Sequence, residues 1–239
     1  MIPKVIHYCW FSNTPYPKKI RKCIGSWQKK LPDYEFKLWN YDNFPRGKSE
    51  WVDSAVDNKK YAFAADYIRA YALYNEGGIY LDSDVEVLKS FNPLLNQPYF
   101  IGREIESPIE AAVMGAEKGM KIFSLLLDYY NTTKFNNNGT LSLTPMPFIM
   151  NDLLTQEFQI SDIRNPDEII KSEQEMFILP SDYFSPKSYI DGIIRLTENT
   201  YSIHHFTGSW VSKKDRLRNT LHSLKISIKK ALMEYVEKR

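Results

Sequence analysis

The sequence predicts an α/β fold with a mostly parallel central sheet, followed by a C-terminal helical appendage. Three observations carry that expectation. Short apolar strand-like runs alternate with longer helical patterns, the order that builds a parallel sheet covered by helices. An alanine-rich apolar helix over residues 61–75 stops at Gly77-Gly78 and turns directly into the apolar run Ile79-Tyr80-Leu81. No internal repeat or linker divides residues 1–210, which read as one domain, with 211–239 as a separate basic helix.

Taken in order, residues 4–10 (KVIHYCW) read as a buried opening strand. Pro15 and Pro17 mark a loop, with Pro17 at the start of a helix that runs to residue 30. Residues 34–39 (YEFKLW) alternate apolar with charged side chains, the period of a strand. A loop near Pro45-Arg46-Gly47 leads to the helix over 61–75 and the strand at 79–81. Further strands are expected at 85–88 and 99–101, helices at 120–130 and 148–155, and late strands at 176–179 and 201–206.

The composition is that of a globular chain, 43% hydrophobic and 25% charged over 239 residues, long enough to bury a core without disulfide or metal staples. Cys9 and Cys23 fall in an apolar run and a helix, which suits reduced, buried thiols in a cytosolic protein. The opening Met1-Ile2-Pro3-Lys4 shows no signal-peptide pattern, and no run of residues is apolar enough to span a bilayer. The net charge of +2 conceals an uneven distribution: residues 211–239 carry +6 and the rest of the chain −4.

The chemistry concentrates between residues 61 and 87. Asp66 and Arg69 stand three apart on one face of an otherwise apolar helix. An internal ion pair is one reading and a ligand-binding pair the other, since buried charges are costly unless paired or used. The strand at 79–81 then delivers Asp82 and Asp84 at its carboxyl end, where open α/β sheets bind ligands. Residues two apart on an extended chain face the same side, so the two carboxylates repel unless a cation lies between them. Hard oxygen donors suit Mg²⁺ or Mn²⁺ with positions left open for diphosphate oxygens.

The run AFAADYIRAYALYNEGGIYLDSDV resembles the sugar-binding and DxD segment of glycosyltransferase family 32. Two more segments agree in order and spacing. The opening IPKVIHYCW is similar to that family's start, and the late Ile203-His204-His205-Phe206-Thr207-Gly208-Ser209-Trp210 to its close. The family includes bacterial capsule and lipopolysaccharide glycosyltransferases and yeast mannosyltransferases, and the large clostridial glucosylating toxins have a similar catalytic core.

The resemblance implies a GT-A nucleotide-sugar-binding fold, Rossmann-like, and a role for each matching residue. Trp10 stacks on the uracil of a UDP-sugar donor, and Tyr80 belongs to the same donor site. Asp66 and Arg69 bind the donor sugar and its ribose or diphosphate. Asp82 contacts ribose and Mn²⁺ (or Mg²⁺), Asp84 ligates the metal, and His205 or His204 closes the metal site with Ser209. Trp210 donates its indole N–H to the diphosphate. His204 and His205 alternate on a strand, so only one of them can face the site. The stretch Glu110-Ala111-Ala112-Val113-Met114-Gly115 departs from the family by lacking a mid-domain asparagine.

The implied activity is retaining, metal-dependent transfer of a hexosyl group to a glycan hydroxyl, in bacterial capsule or lipopolysaccharide synthesis on a lipid-linked acceptor. An inverting enzyme would need a carboxylate near the acceptor, for which Glu110 and Asp152 are the candidates. The other readings are a toxin-like effector that glycosylates a protein and a non-catalytic nucleotide-sugar-binding protein. Nucleic-acid binding finds no base-reading motif. In the tail, Leu217, Leu221, Leu224, Ile228, Leu232 and Tyr235 form one helical stripe among lysines and arginines. That pattern fits either an interfacial helix on anionic lipid, placing a cytoplasmic enzyme at the inner membrane face, or a helix that caps the domain.

Overall fold

The computed structural model describes residues 1–12 and 14–207. The helix expected over 211–239 therefore lies outside the described residues. The chain opens with β1 (Val5–Cys9), α1 (Lys18–Lys30) and β2 (Glu35–Trp39). Next come α2 (Glu50–Asp57), α3 (Tyr61–Glu76), β3 (Gly78–Leu81) and β4 (Val85–Val87). A 3₁₀ turn at Asn92–Leu94 leads to β5 (Tyr99–Ile101), β6 (Val113–Ala116) and α4 (Lys121–Thr132). A small hairpin of β7 (Asn136–Asn137) and β8 (Thr140–Leu141) precedes α5 (Met146–Glu157) and β9 (Gln159–Asp162). After a 3₁₀ turn at Pro166–Glu168, β10 (Glu175–Ile178) and β11 (Ser202–His204) complete the described elements.

Five strands form the central sheet in the order β2-β1-β3-β6-β5. The β1 strand is parallel to both β2 and β3, whereas β6 is antiparallel to both β3 and β5. Four of the five strands thus run in one direction, which confirms the mostly parallel α/β architecture. It also places the carboxyl ends of β1, β3 and β5 on a single edge.

Helix α3 covers the sheet and is buried along most of its length, from Phe63 through Ala70 and again at Ala72 and Leu73. Its alanines remove side-chain bulk and allow close packing on the strands. The helix ends at Gly77 (φ +70°), and Gly78 (φ +101°) starts β3 where a Cβ would stand 2.8 Å from the Val5 carbonyl oxygen and 3.0 Å from His7 Nε2. Only glycine combines that dihedral with that approach. His7 fills the space so made: its Nε2 lies 2.8 Å from the Gly77 carbonyl, and Trp39 Nε1 donates to its Nδ1 at 3.1 Å.

On α1, Ile20, Cys23 and Trp27 form the buried face, and the Trp27 indole donates to the Val85 carbonyl at 2.7 Å. That bond ties α1 to β4, which pairs antiparallel with β11 through Val87↔Ser202 and Val85↔His204. Both cysteines are free and buried. No helix among the described residues is long and apolar enough to cross a membrane.

Candidate functional site

The carboxyl edge of the sheet gathers side chains from five segments. Trp10 follows the end of β1, Asp82 and Asp84 follow β3, and Glu104 lies three residues beyond β5. Glu110 enters from the segment leading into β6, and His204 ends β11.

Arg69 anchors the first aspartate. Its Nη2 lies 3.0 Å from Asp66 Oδ1 and 3.1 Å from Asp82 Oδ1, and its Nη1 donates to the Ala111 carbonyl at 2.5 Å. The guanidinium stacks over the Tyr80 ring at 4.7 Å, and Tyr80 Oη donates to Asp82 Oδ1 at 3.0 Å. Asp66, Arg69 and Tyr80 are all buried. Burial pushes Asp66 up to about 7, with Asp82 adding to the shift and Arg69 opposing it. For Arg69 burial acts against the charge, but Asp82, Tyr80 and Asp66 outweigh it and hold the guanidinium charged. Asp66 and Arg69 thus form the internal ion pair, and Arg69 also holds Asp82.

Asp84 is held from the other side. Its Oδ2 accepts from Thr207 N at 2.7 Å and from Thr207 Oγ1 at 2.9 Å, and His204 Nε2 lies 3.5 Å from its Oδ1. Burial alone would raise Asp84, but the His204 charge and the Thr207 donors outweigh it and hold this carboxyl well below the usual range. His204 is raised well above its ordinary value: burial opposes its charge, and Asp84, Glu104 and Glu110 overcome that opposition.

The expected metal ligand His205 is a correction. Its Nε2 lies 2.8 Å from Glu86 Oε2, and the same carboxylate meets Lys22 Nζ at 3.0 Å. Successive side chains on an extended segment point to opposite faces, and the pairing of β11 with β4 sends His204 to Asp84 and His205 to Glu86. Ser209 and Trp210 lie outside the described residues. Trp10 is half-buried at the site edge, with its indole N–H donated to the Thr14 carbonyl at 3.0 Å and Tyr16 packed edge-on at 4.9 Å.

Sequence reasoning missed Glu104 and Thr207. Glu104 carried a signal, since β5 runs parallel to β3 and acidic residues past its end reach the same edge. Thr207 carried none, because its role depends on how the chain leaves β11. Of the two candidate bases, Glu110 is fully buried, with Oε1 accepting from Ala112 N and Oε2 from Ser185 Oγ. Asp152 is exposed on α5, which packs on α4 and β9.

The ligand atoms of Asp82, Asp84 and His204 all lie within 4.8 Å of one another, close enough to share one ion. Two carboxylates and an imidazole suit Mg²⁺ or Mn²⁺. His204 Nε2 faces Asp84 Oδ1 at 3.5 Å, which leaves the other ring nitrogen turned away from the carboxylate pair. His204 Nδ1 is buried without a hydrogen-bond partner among the described residues, 3.8 Å from Glu104 Oε1 and 3.9 Å from Glu110 Oε1. A metal-bound imidazole ordinarily donates its second N–H to a carboxylate; the two nearest here stand beyond hydrogen-bond distance.

Comparison with known proteins agrees with this geometry. A family model described as the glycosyltransferase sugar-binding region containing the DXD motif matches residues 17–101. The chain is 37% identical over 125 residues to inositol phosphoceramide mannosyltransferase 3 of Schizosaccharomyces pombe, covering 49% of this chain and 34% of that protein. It is 31% identical over 123 residues to mannosyl phosphorylinositol ceramide synthase CSH1 of Saccharomyces cerevisiae, covering 48% and 32%. These matches thus span about a third of the length of each relative. Among solved structures, a glycosyltransferase involved in glycosylation of the major capsid of PBCV-1 superposes with a TM-score of 0.51 at 13% identity, over 92% of this chain and 98% of that one. Residues 17–101 thus match the DXD-containing glycosyltransferase sugar-binding region, carried on a fold of the GT-A glycosyltransferase type.

Proposed function

We propose that the chain transfers a hexosyl group from a nucleoside-diphosphate sugar to a hydroxyl of a lipid-linked acceptor, at a divalent cation held by Asp82, Asp84 and His204. The observation that carries this reading is the convergence of those three side chains at the carboxyl edge of the sheet, with Arg69 fixing Asp82 from behind. When bound, the cation neutralises charge that develops on the departing diphosphate. The protein's own contribution is preorganisation. Arg69 and Tyr80 set Asp82 and Thr207 sets Asp84, so the two carboxylates need not reorganise when the donor arrives. Trp10 offers a ring at the same edge for the nucleobase. Asp66 acts through Arg69 as a positioning residue.

Uridine is the nucleoside implied by the family resemblance. The names of the fungal relatives favour mannose as the transferred sugar, and with it a GDP donor. Those names also favour a lipid acceptor over a protein one. Retention of anomeric configuration remains part of the proposal, supported by the engagement of both Glu110 oxygens and by the exposure of Asp152 on α5.

The test is release of nucleoside diphosphate from panels of UDP- and GDP-sugars, with Mn²⁺ and with EDTA, for wild type and Asp84→Ala. The expected result is metal-dependent release from one donor, reduced at least ~100-fold in the variant, the scale of losing a group that stabilises transition-state charge. Release by Asp84→Ala at the wild-type rate would place the chemistry elsewhere.

A further inference from the structure

Residues 186–196 form a tight hairpin beside the site. Lys187 and Ile194 make an antiparallel bridge, and Arg195 N donates to the Pro186 carbonyl at 2.9 Å. Ser188 N donates to the Ile193 carbonyl at 2.9 Å, and Gly192 N to the Ser188 carbonyl at 3.0 Å. Asp191 closes the tip by accepting from Ile193 N at 2.9 Å. Below the tip, Ser188 Oγ donates to Glu106, two residues from Glu104. Lys187 Nζ donates to the His205 carbonyl at 2.7 Å, and the Phe206 ring lies against both Tyr189 (5.7 Å) and His204 (4.0 Å). The hairpin is thus well bonded and rooted in the segment that supplies His204.

Its side chains are ill suited to water. Ile193 is 53% exposed, Leu196 58% and Ile194 42%, and Ile190 shares the wall of a cleft of about 600 Å³ with Ile105. An ordered turn that holds several aliphatic residues outward marks a contact surface, unlike apolar residues scattered singly. The charges beside it say what kind. Lys18, Lys19, Arg21 and Lys22 are exposed on α1. Lys22 Nζ and His205 Nε2 meet the same Glu86 carboxylate, at 3.0 and 2.8 Å, and Lys187 donates to the His205 carbonyl, which sets that basic face beside the hairpin root. The acids on the cleft wall are engaged: Asp191 with Arg195 at 3.4 Å, Glu106 with Ser188 Oγ and Tyr189 N, and Asp182 with Thr197 Oγ1. Aliphatic side chains flanked by cations complement a bilayer whose headgroups are anionic.

We propose that the 186–196 hairpin and the basic face of α1 form a membrane-docking surface, the hairpin's aliphatic side chains entering a lipid bilayer that carries anionic headgroups. Docking stands on its own observations; that the acceptor hydroxyl is presented from the lipid rests on the transferase reading.

The experiment is co-sedimentation of the full chain with vesicles of phosphatidylcholine, with and without roughly one third phosphatidylserine. Two variants accompany wild type: Ile190→Ser/Ile193→Ser/Leu196→Ser, and Lys18→Glu/Lys19→Glu. All five side chains are exposed, so unchanged melting is expected to confirm intact folds. Wild type should bind the anionic vesicles and weaken as salt rises. The triple variant should bind at least ~10-fold less, and the charge-reversed variant should lose its preference for phosphatidylserine. Equal binding by wild type and the triple variant would overturn the proposal, by assigning attraction to basic residues elsewhere, such as 211–239. Absence of wild-type binding would overturn it as well. So would a wild-type dimer that becomes monomeric in the triple variant without any vesicle binding, since a second copy would then cover the patch. Vesicle binding through the hairpin without diphosphate release from any donor would leave docking intact and sink the transferase reading instead.

Discussion

Replacing Arg69 with methionine isolates the electrostatic logic of the site. Methionine is similar in length and apolar, so the change removes the charge and the donors while leaving little void. Three acceptors lose a partner: Asp66 at 3.0 Å, Asp82 at 3.1 Å and the Ala111 carbonyl. Breaking a buried ion pair from one side costs about 3–5 kcal/mol. Two features reduce that figure here. Asp82 keeps Tyr80 and partial solvent contact. Asp66, already raised to about 7, rises further and escapes its charge by taking a proton. The expected loss at pH 7 is about 2–4 kcal/mol, of which the stranded carbonyl accounts for about 1–3. A carboxyl whose folded pKa lies above its unfolded value binds more protons folded than unfolded, so stability falls as pH rises from its unfolded pKa to its folded one. In wild type that fall ends near 7. In Arg69→Met it continues above 7, so the difference between the two proteins should be about 1–2 kcal/mol larger at pH 8.5 than at pH 6. Urea unfolding followed by tryptophan fluorescence at the two pH values measures both quantities, and adding Asp66→Asn should abolish the pH dependence. A loss under ~1 kcal/mol, or one independent of pH, would refute this account of how Asp66 is held.

Two further perturbations test the scaffold behind the site. Burial holds His7 below its ordinary value, and its Nδ1 is an acceptor for Trp39, so protonation breaks a bond as well as burying a charge. The unfolded chain takes the proton first, so this contribution is complete above the unfolded value of 6.5 and is lost as pH falls from there to the folded pKa. His7→Phe should be less stable at pH 7 yet show a flatter decline in melting temperature between pH 6.5 and 5; an unchanged decline would clear His7 of the role. Gly78→Ala meets the β1 backbone and a left-handed dihedral together. The expected cost of about 3 kcal/mol should lower the melting temperature by roughly 6–12 °C in a thermal scan, and a drop under ~2 °C would show that β1 yields to the added methyl.

Much of this was legible because local and global signals agreed. The alanine-rich helix, the Gly-Gly turn and the strand leading to Asp82 form one continuous segment, and each part predicts the next. The end of α2 that begins at Ser49 was readable too: Ser49 caps Val52 N, with Glu50 and Asp53 in the first turn, yet the eye reads Pro45-Arg46-Gly47 as loop and stops. The β6 strand was not legible in the same way. It is buried on both faces, so it lacks the alternation that betrays a strand, and its place between β3 and β5 depends on pairings remote in sequence. The choice between His204 and His205 is likewise a matter of register with β4. A sequence shows that two adjacent histidines face opposite ways, but not which way is inward.

The segment entering β6 carries a consequence for how such a site can be mapped. Asp82 N donates to the Ala112 carbonyl at 2.9 Å, and Arg69 to the Ala111 carbonyl. Both charged partners at the heart of the site are thus fastened to main-chain oxygens of two residues whose side chains are single methyl groups. Scanning by alanine replacement passes over both positions without changing an atom, and most larger substitutions there would report crowding instead of the lost bond. Exchanging the peptide link after either residue for an ester, which weakens its carbonyl as an acceptor and, after Ala111, also removes the Ala112 N–H that Glu110 accepts, would expose a dependence that genetic diversity is poorly placed to reveal.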